Sequence, residues 1–129
     1  MSKILTEISS GELLDKISIL EIKLSKIKDK VLLNEVKKEY DILFKTKNDN
    51  IISSNEIITL YKNLKETNEK LWKIEDEIRL CEKNSDFKEK FIKLSRSVYF
   101  TNDQRSRIKQ KINKILGSKI KEVKQYTKY

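Results

Sequence analysis

Hydrophobic residues recur at helical spacing along most of this chain. Near the amino terminus the apolar positions are separated alternately by four and three residues, which is the heptad seam of a helix packed against a neighbour. Ile19 and Ile22 lie beside the seam and widen its apolar face. The pattern therefore predicts a central helix that is contacted on more than one side. The seam comprises Leu13, Ile17, Leu20, Leu24, Ile27 and Val31.

The pattern changes phase near Asp29 and stops after Leu43. Asp29 is suited to cap a new helix, so a kink or short break is expected at residues 28–30. The polar stretch 45–55 predicts a loop, and a second long helix is predicted over residues 55–83. Two shorter helical segments are predicted after it. The residues expected to face inward in the first are Phe87, Phe91, Leu94 and Val98. Those expected to face inward in the second are Ile108, Ile112, Ile115, Leu116, Ile120 and Val123.

Three of the expected helix starts carry a capping box, a hydroxyl followed three residues later by Glu or Gln. These boxes are Ser9–Glu12, Ser53–Glu56 and Thr101–Gln104, and the stretch 84–86 is typical of a turn. Two Gly and no Pro in 129 residues leave few positions for the turns that sheets need. We therefore predict an all-α protein, a single domain over residues 1–129. It should be a helical bundle with two long antiparallel helices and two shorter C-terminal helical segments.

The residue types exclude several kinds of chemistry. The chain has no His and one Cys, Cys81, so ordinary zinc sites and Ser–His or Cys–His catalysis are excluded, and no internal disulfide can form. A lone Cys, and acidic residues where a signal peptide would be apolar, predict a cytoplasmic protein without a membrane span. We predict no cofactor, although Mg²⁺ held by carboxylates at i, i+3 spacing stays open. Such pairs are Glu12 with Asp15 and Glu66 with Glu69.

Positive charge is concentrated at the carboxyl end. Residues 103–129 hold nine Lys or Arg and two acidic residues, out of a net charge of +9 for the whole chain. A basic amphipathic helix there would attract nucleic acid or an anionic membrane surface, with affinity falling steeply as salt rises. Aromatic residues among these charges are confined to Tyr126 and Tyr129 and no recognition motif is present, which favours a solvated face.

Arginine is unevenly distributed. The chain has 25 Lys and four Arg, and three of the four lie in the stretch 95–107. A guanidinium gives planar, bidentate hydrogen bonds to phosphate or carboxylate, so Arg marks positions where geometry matters. One hypothesis is an anion pocket at a helix start near Thr101. The proposed anion-binding residues are Arg96, Tyr99, Asn102, Arg105 and Arg79.

The alternative is that Arg96 or Arg105 clamps an internal carboxylate. The best partners by sequence are Glu75 and Asp76, which are also the candidates for an acid–base or Mg²⁺-binding role if the pocket is catalytic.

The same part of the chain contains a polar residue where the seam predicts an apolar one. Asn68 lies between Leu64 and Leu71, and a polar group at such a position fixes register or belongs to a site in the core. Trp72 beside it either fills the core or walls a pocket.

Three blocks of the chain together resemble an uncharacterised all-helical family. They are GELLDKISILEIKLSKI, LWKIEDEIRLCEK and FIKLSRSVYFTNDQRSRIKQKINKILGS. The resemblance implies relatives that stand alone in bacteria and phages, or are fused to glycosyltransferase or tetratricopeptide-type proteins of surface-polysaccharide pathways. It implies no established activity. The residues that match its pattern are Glu12, Asp15, Lys16, Glu21, Asn68, Trp72, Glu75, Asp76, Arg79, Arg96, Tyr99, Asn102, Asp103 and Arg105.

Three functional hypotheses result. The leading one is a non-catalytic helical interaction module, self-associating or bound to a protein partner, that supports polysaccharide or glycosyl-transfer machinery. The second is a small enzyme or binder for a phosphorylated metabolite, such as a nucleotide or nucleotide sugar. The third is electrostatic nucleic-acid binding by the basic C-terminal helix.

Overall fold

The computed structural model describes residues 2–129, which form four helices. They are α1 (Ser10–Lys26), α2 (Lys30–Asn50), α3 (Asn55–Lys83) and α4 (Glu89–Leu116). The predicted all-α helical bundle is confirmed. No helix in the described range has both the length and the apolar character needed to cross a bilayer.

Side-chain caps begin the first three helices. Ser9 accepts the backbone N–H of Glu12 at 3.2 Å, and Asp29 accepts those of Val31 at 2.9 Å and Leu32 at 3.1 Å. The break expected at residues 28–30 is thereby confirmed, with Asp29 as its cap. The cap of α3 is Ser54, one residue after the Ser53 that the capping box indicated.

The prediction of a loop over residues 45–55 is wrong. Helix α2 continues to Asn50, and only residues 51–54 connect it to α3. Polar side chains in this stretch bond within the helix. Lys45 Nζ lies 2.7 Å from Asp49 Oδ2, and Asn50 Nδ2 donates to the carbonyl oxygen of Thr46 at 2.8 Å. Such i, i+4 pairs stabilise this polar, exposed end of the helix.

The two shorter C-terminal segments are in fact one helix of 28 residues, and the predicted helix start at Thr101 is wrong. Thr101 lies in the middle of α4 and is 1% exposed, so packing of a continuous helix overrides a local capping signal. The predicted helical extent to Val123 is also wrong. The helix ends at Gly117, whose φ of 64° is the left-handed conformation that glycine adopts without strain.

Helix α1 is the centre of the bundle and contacts each of the other three helices, as its wide apolar face predicted. Helices α3 and α4 form an antiparallel hairpin joined by the expected turn at residues 84–86. Helix α2 packs along α1. The main core, around the crossing of α1 with α3 and α4, comprises Leu13, Leu14, Ile17, Ile57, Leu64 and Ile112.

Gly11 marks a close approach of α1 to α4. Its backbone N–H donates to Asn113 Oδ1 at 2.7 Å. A Cβ atom at this position would lie 2.6 Å from the carbonyl oxygen of Lys109, so only glycine fits here.

Candidate functional site at the helix crossing

A buried carboxylate joins the three helices at their crossing. Asp15 of α1 is 1% exposed and accepts a bidentate pair from Arg105 of α4, with Nε 2.8 Å from Oδ1 and Nη2 bonded to Oδ2. Asn68 of α3 donates to Asp15 Oδ1 at 2.9 Å and to Ser18 Oγ at 2.8 Å. Ser18 in turn donates to the carbonyl oxygen of Asp15 at 2.7 Å. We call these four residues the Asp15 network.

The network holds Asp15 in its charged form. Burial alone would raise the pKa of this carboxyl, but the hydrogen bonds from Arg105 and Asn68 outweigh burial, with the charges of Arg105 and Lys109 adding to them. The pKa of Asp15 is therefore lowered. The hydrogen bond to Asp15 likewise raises the pKa of Arg105 against the opposing effect of burial. A bidentate, charge-assisted pair of this kind orients the Arg105 side chain firmly.

A second ion cluster lies one turn further along the α1–α4 contact. Lys109 Nζ is 2.7 Å from Glu12 Oε2 and 2.7 Å from Glu122 Oε2, and its side chain is 7% exposed. Burial alone would lower the pKa of Lys109, but the two carboxylates raise it. Hydrogen bonding to Lys109 is also the main reason that the pKa of Glu122 is lowered.

Of the two carboxylate pairs that sequence spacing offered for Mg²⁺, the first binds cations of α4, whereas Glu66 and Glu69 are exposed on α3. Glu12 binds Lys109 and Asp15 binds Arg105. Within residues 2–129, no group of three or more Asp, Glu, Cys or His side chains is placed to hold a metal ion.

Glu21, another residue of the first block, contacts α3. It accepts hydrogen bonds from the Tyr61 hydroxyl and from Lys65 Nζ, the latter at 3.1 Å. Burial and the adjacent carboxylate both raise the pKa of Tyr61. Lys16, the remaining residue of this block, points into solvent.

The partner predicted for Arg105 was wrong. Its guanidinium pairs with Asp15, whereas the exposed Glu75 pairs with Arg79 at 3.5 Å on the same helix. Arg105, Glu75 and Asp76 nevertheless border one open groove of about 430 Å³, because α1 and α4 both lie against this part of α3. Trp72, which is half-buried, forms part of its wall. The groove is lined by Ile19, Ile22, Asn68, Leu71, Trp72, Glu75, Asp76, Arg79 and Arg105.

Arg105 also borders a larger groove on the other side of α4. This groove has a volume of about 820 Å³ and lies between α4 and the segment that follows it, residues 118–129. Tyr99, Asn102 and Asp103 line it. We call it the tail groove.

The five predicted anion-binding residues do not converge on one place. Arg79 lies in the groove beside Trp72, whereas Tyr99 and Asn102 lie in the tail groove, and Arg105 borders both. Arg96 lines neither groove, and its guanidinium lies 5.9 Å from the centre of the Phe100 ring. Because Thr101 is inside α4, the helix start that was expected to attract the anion does not exist.

Four residues of the crossing were not selected from the sequence. Nothing in the sequence distinguishes them from the many other polar side chains of the same types. They are Ser18, Lys109, Asn113 and Glu122. The only local signal was Gly11 inside a helical pattern, because a glycine there suggests close approach of another backbone.

Removal of the Asn68 side chain by Asn68→Ala is expected to lower the free energy of unfolding by about 1–2 kcal/mol, because two buried hydrogen bonds are lost. Urea unfolding monitored by circular dichroism measures the change. Asn63→Ala, an exposed position on the same helix, is the control and should change it by less than about 0.5 kcal/mol. Equal effects of the two variants would contradict a structural role for Asn68.

A model of a family of unknown function, DUF6165, matches residues 4–129. No curated protein and no solved structure matches the chain.

Proposed function

The chain belongs to the DUF6165 family of unknown function, and on that premise we propose that it is a non-catalytic helical interaction module that self-associates through α2. One observation carries the proposal. Helix α2 is an amphipathic helix of 21 residues that has no buried residue, whereas the 17-residue α1 has eight. A helix with an apolar face gains its stability in a protein by burying that face.

The exposed face of α2 is partly apolar. Tyr40 and Leu43 pack against the core and hold the helix on α1. Val31 is 72% exposed and Ile42 is 66% exposed. These two residues are eleven positions apart, which is close to three turns, so they project from the same side of the helix. That side is the proposed interface.

Charge favours a second copy of this chain as the occupant of the interface. Helix α2 has five lysines and four acidic residues, so its surface is nearly neutral and carries both signs. Two copies related by a twofold axis would place lysines of one helix beside carboxylates of the other. The strongly basic carboxyl end would instead repel its own copy.

The sequence resemblance supports the biological setting of the proposal. It implies that some relatives with these three blocks are fused to glycosyltransferases or tetratricopeptide-type proteins. We therefore propose that the assembled module supports surface-polysaccharide or glycosyl-transfer machinery, as a partner and not as the catalyst.

Introducing a charge by Ile42→Glu is expected to convert the protein from a dimer to a monomer, because two buried carboxylates would face each other across a twofold interface. Sedimentation velocity over a wide range of protein concentration measures the oligomeric state. The folded monomer should be unaffected, since Ile42 is exposed within one chain.

Ile92→Glu is the matched control. Ile92 of α4 is 53% exposed and lies on another surface. The Ile92→Glu variant should leave the oligomeric state unchanged. The proposal is wrong if the parent protein sediments as a monomer at every concentration, or if Ile92→Glu dissociates the dimer and Ile42→Glu does not.

A further inference from the structure

The segment 118–129 returns along α4 and is fastened to the bundle at three points. Ser118 Oγ accepts the backbone N–H of Ser10 at 3.0 Å, Glu122 binds Lys109 at 2.7 Å, and the Tyr129 hydroxyl donates to Asp103. Two of these points lie on α4, first Lys109 and then Asp103 nearer its amino end, so the segment runs antiparallel to the helix.

The spacing of these attachments opens the tail groove. Lys109 and Asp103 are six residues apart on α4, which is about 9 Å at 1.5 Å per residue. Their partners Glu122 and Tyr129 are seven residues apart, and a non-helical chain of that length can span about 23 Å. The segment therefore bows away from the helix between the two attachments, and Lys124, Tyr126, Thr127 and Lys128 line the space that this leaves.

Both walls of the tail groove are positively charged. Helix α4 contributes Arg105 and Arg107, and the segment contributes Lys124 and Lys128. Lys124 lies 3.6 Å from Glu122, whereas Arg107 and Lys128 have no acidic group within 4 Å among the residues described. Cations gathered on facing walls repel one another unless an anion lies between them.

The single acidic side chain in the lining of the tail groove, among residues 2–129, is Asp103. It accepts a hydrogen bond from the Tyr129 hydroxyl. Asp15, outside the groove, holds one edge of the Arg105 guanidinium through Nε and Nη2. The Nη1 atom of Arg105 makes no hydrogen bond within the described residues. The Arg105 side chain is 24% exposed and lies at the edge of the groove. The guanidinium is thus oriented while part of its donor capacity stays available.

Aromatic rings complete the groove. The Tyr129 ring packs edge-on against Tyr99 with centroids 5.5 Å apart and against Phe100 at 5.1 Å. Tyr126, 74% exposed, also lines the groove. The groove volume of about 820 Å³ falls in the range of ordinary small-molecule sites.

We propose that the tail groove binds a small phosphorylated ligand that carries a planar ring, of the nucleotide class. Phosphate oxygens would be held between Arg107 and Lys128 with Arg105 beside them, and the ring would lie on the tyrosine side. This role goes beyond self-association through α2, and the two surfaces involve different residues.

The test is isothermal titration of the full chain with ADP, inorganic pyrophosphate and adenosine. We expect ADP to bind more tightly than pyrophosphate and adenosine to bind weakest, since phosphate supplies the charge recognition and the ring adds contact. The double variant R107A/K128A should bind ADP at least about tenfold more weakly, because charge-assisted hydrogen bonds to phosphate are lost at both positions.

The matched control is K111A/K114A, which removes two positive charges from the same helix on the side that faces α3. It should leave ADP affinity within about twofold. Both double variants are substituted at exposed positions, so their melting temperatures should equal that of the parent protein. Ile42→Glu should also leave ADP binding unchanged, which separates this inference from the proposed self-association.

Three results would overturn the inference. The first is an absence of ADP binding by the parent protein. The second is equal weakening by the two double variants, which would indicate general electrostatic attraction. The third is tight, salt-sensitive binding of a single-stranded oligonucleotide with none of ADP, which would assign the groove to a polyanion.

Discussion

Replacement of Asp15 by alanine is expected to lower the free energy of unfolding by about 3 kcal/mol. Removing one member of a buried ion pair usually costs about 3–5 kcal/mol, because the remaining charge is left without its partner. The lower end applies here, since the Arg105 side chain is 24% exposed and gains some hydration when Asp15 is lost. The Asn68 side chain would also lose its hydrogen bond to Asp15, and its hydrogen bond to Ser18 would be less well supported.

Urea unfolding of Asp15→Ala and of the parent protein measures this difference. Asp41→Ala is the control, because Asp41 forms an exposed ion pair with Lys37 at 3.1 Å on α2. Exposed i, i+4 pairs contribute about 0.3–0.5 kcal/mol, so the control should be nearly neutral. A loss below about 1 kcal/mol for Asp15→Ala would show that the network does not hold the three helices together.

Asp15 should also make stability depend on pH in the acid range. Its pKa is lower in the folded protein than the ordinary value of 3.8, so the folded state binds fewer protons than the unfolded state as the pH falls. The contribution of Asp15 is therefore complete above about pH 4 to 5 and is lost as the pH falls toward and below the folded pKa. Asp15→Asn should show a weaker fall of stability over this range than the parent protein, measured by urea unfolding in a series of buffers.

Replacement of Gly11 by alanine is expected to lower the free energy of unfolding by about 2 kcal/mol. The new methyl group would lie 2.6 Å from the carbonyl oxygen of Lys109 and 2.8 Å from Asn113 Oδ1. The first of these atoms belongs to the backbone of α4, so relief requires the two helices to separate. Overpacking of this kind costs about 1–3 kcal/mol.

Helix propensity predicts the opposite sign, which makes Gly11→Ala a sharp test. Alanine is favoured over glycine inside a helix by about 1 kcal/mol. Thermal and urea unfolding should show destabilisation if the α1–α4 approach is as close as described, and stabilisation if it is not. Gly117→Ala is the control at the other glycine. It meets no atom within 4 Å but must adopt a φ of 64°, so it should cost about 1–2 kcal/mol through backbone strain alone.

These two substitutions act on the same helix contact that positions Arg105. Asp15 fixes the guanidinium, and Gly11 sets the distance between α1 and α4. Arg105 borders both grooves, so the geometry of either groove depends on this contact. This explains why the residue is Arg and not Lys. Only the planar guanidinium can form two hydrogen bonds to Asp15 and still have unused N–H donors.

Local periodicity and caps determined much of the fold. The first part of the seam, from Leu13 to Leu20, the break capped by Asp29 and the second helix over residues 55–83 were predictable, because each depends on neighbours within one or two turns. The end of the predicted seam was wrong, since Val31 is 72% exposed. The wide apolar face of α1 likewise indicated a central helix, which its contacts confirm. Composition added the all-α class, since a chain with two Gly and no Pro has few turn residues.

Local signals failed where tertiary packing or long-range pairing decided the outcome. The capping box at Thr101 is intact in the sequence, yet burial of that residue against neighbouring helices keeps α4 continuous. The polar stretch after Leu43 stayed helical because its side chains pair within the helix.

The sequence by itself determined which residue types were available: a scarce set of arginines, one polar residue in the α3 seam and a basic carboxyl end. Tertiary structure alone decided how they are paired. Arg105 is 90 residues from Asp15, and with 20 acidic residues in the chain nothing local distinguishes that partner from Glu75 or Asp76. The choice depends on the crossing of α1 over α3 and α4, because a buried carboxylate is stable only where donors from all sides reach it at once.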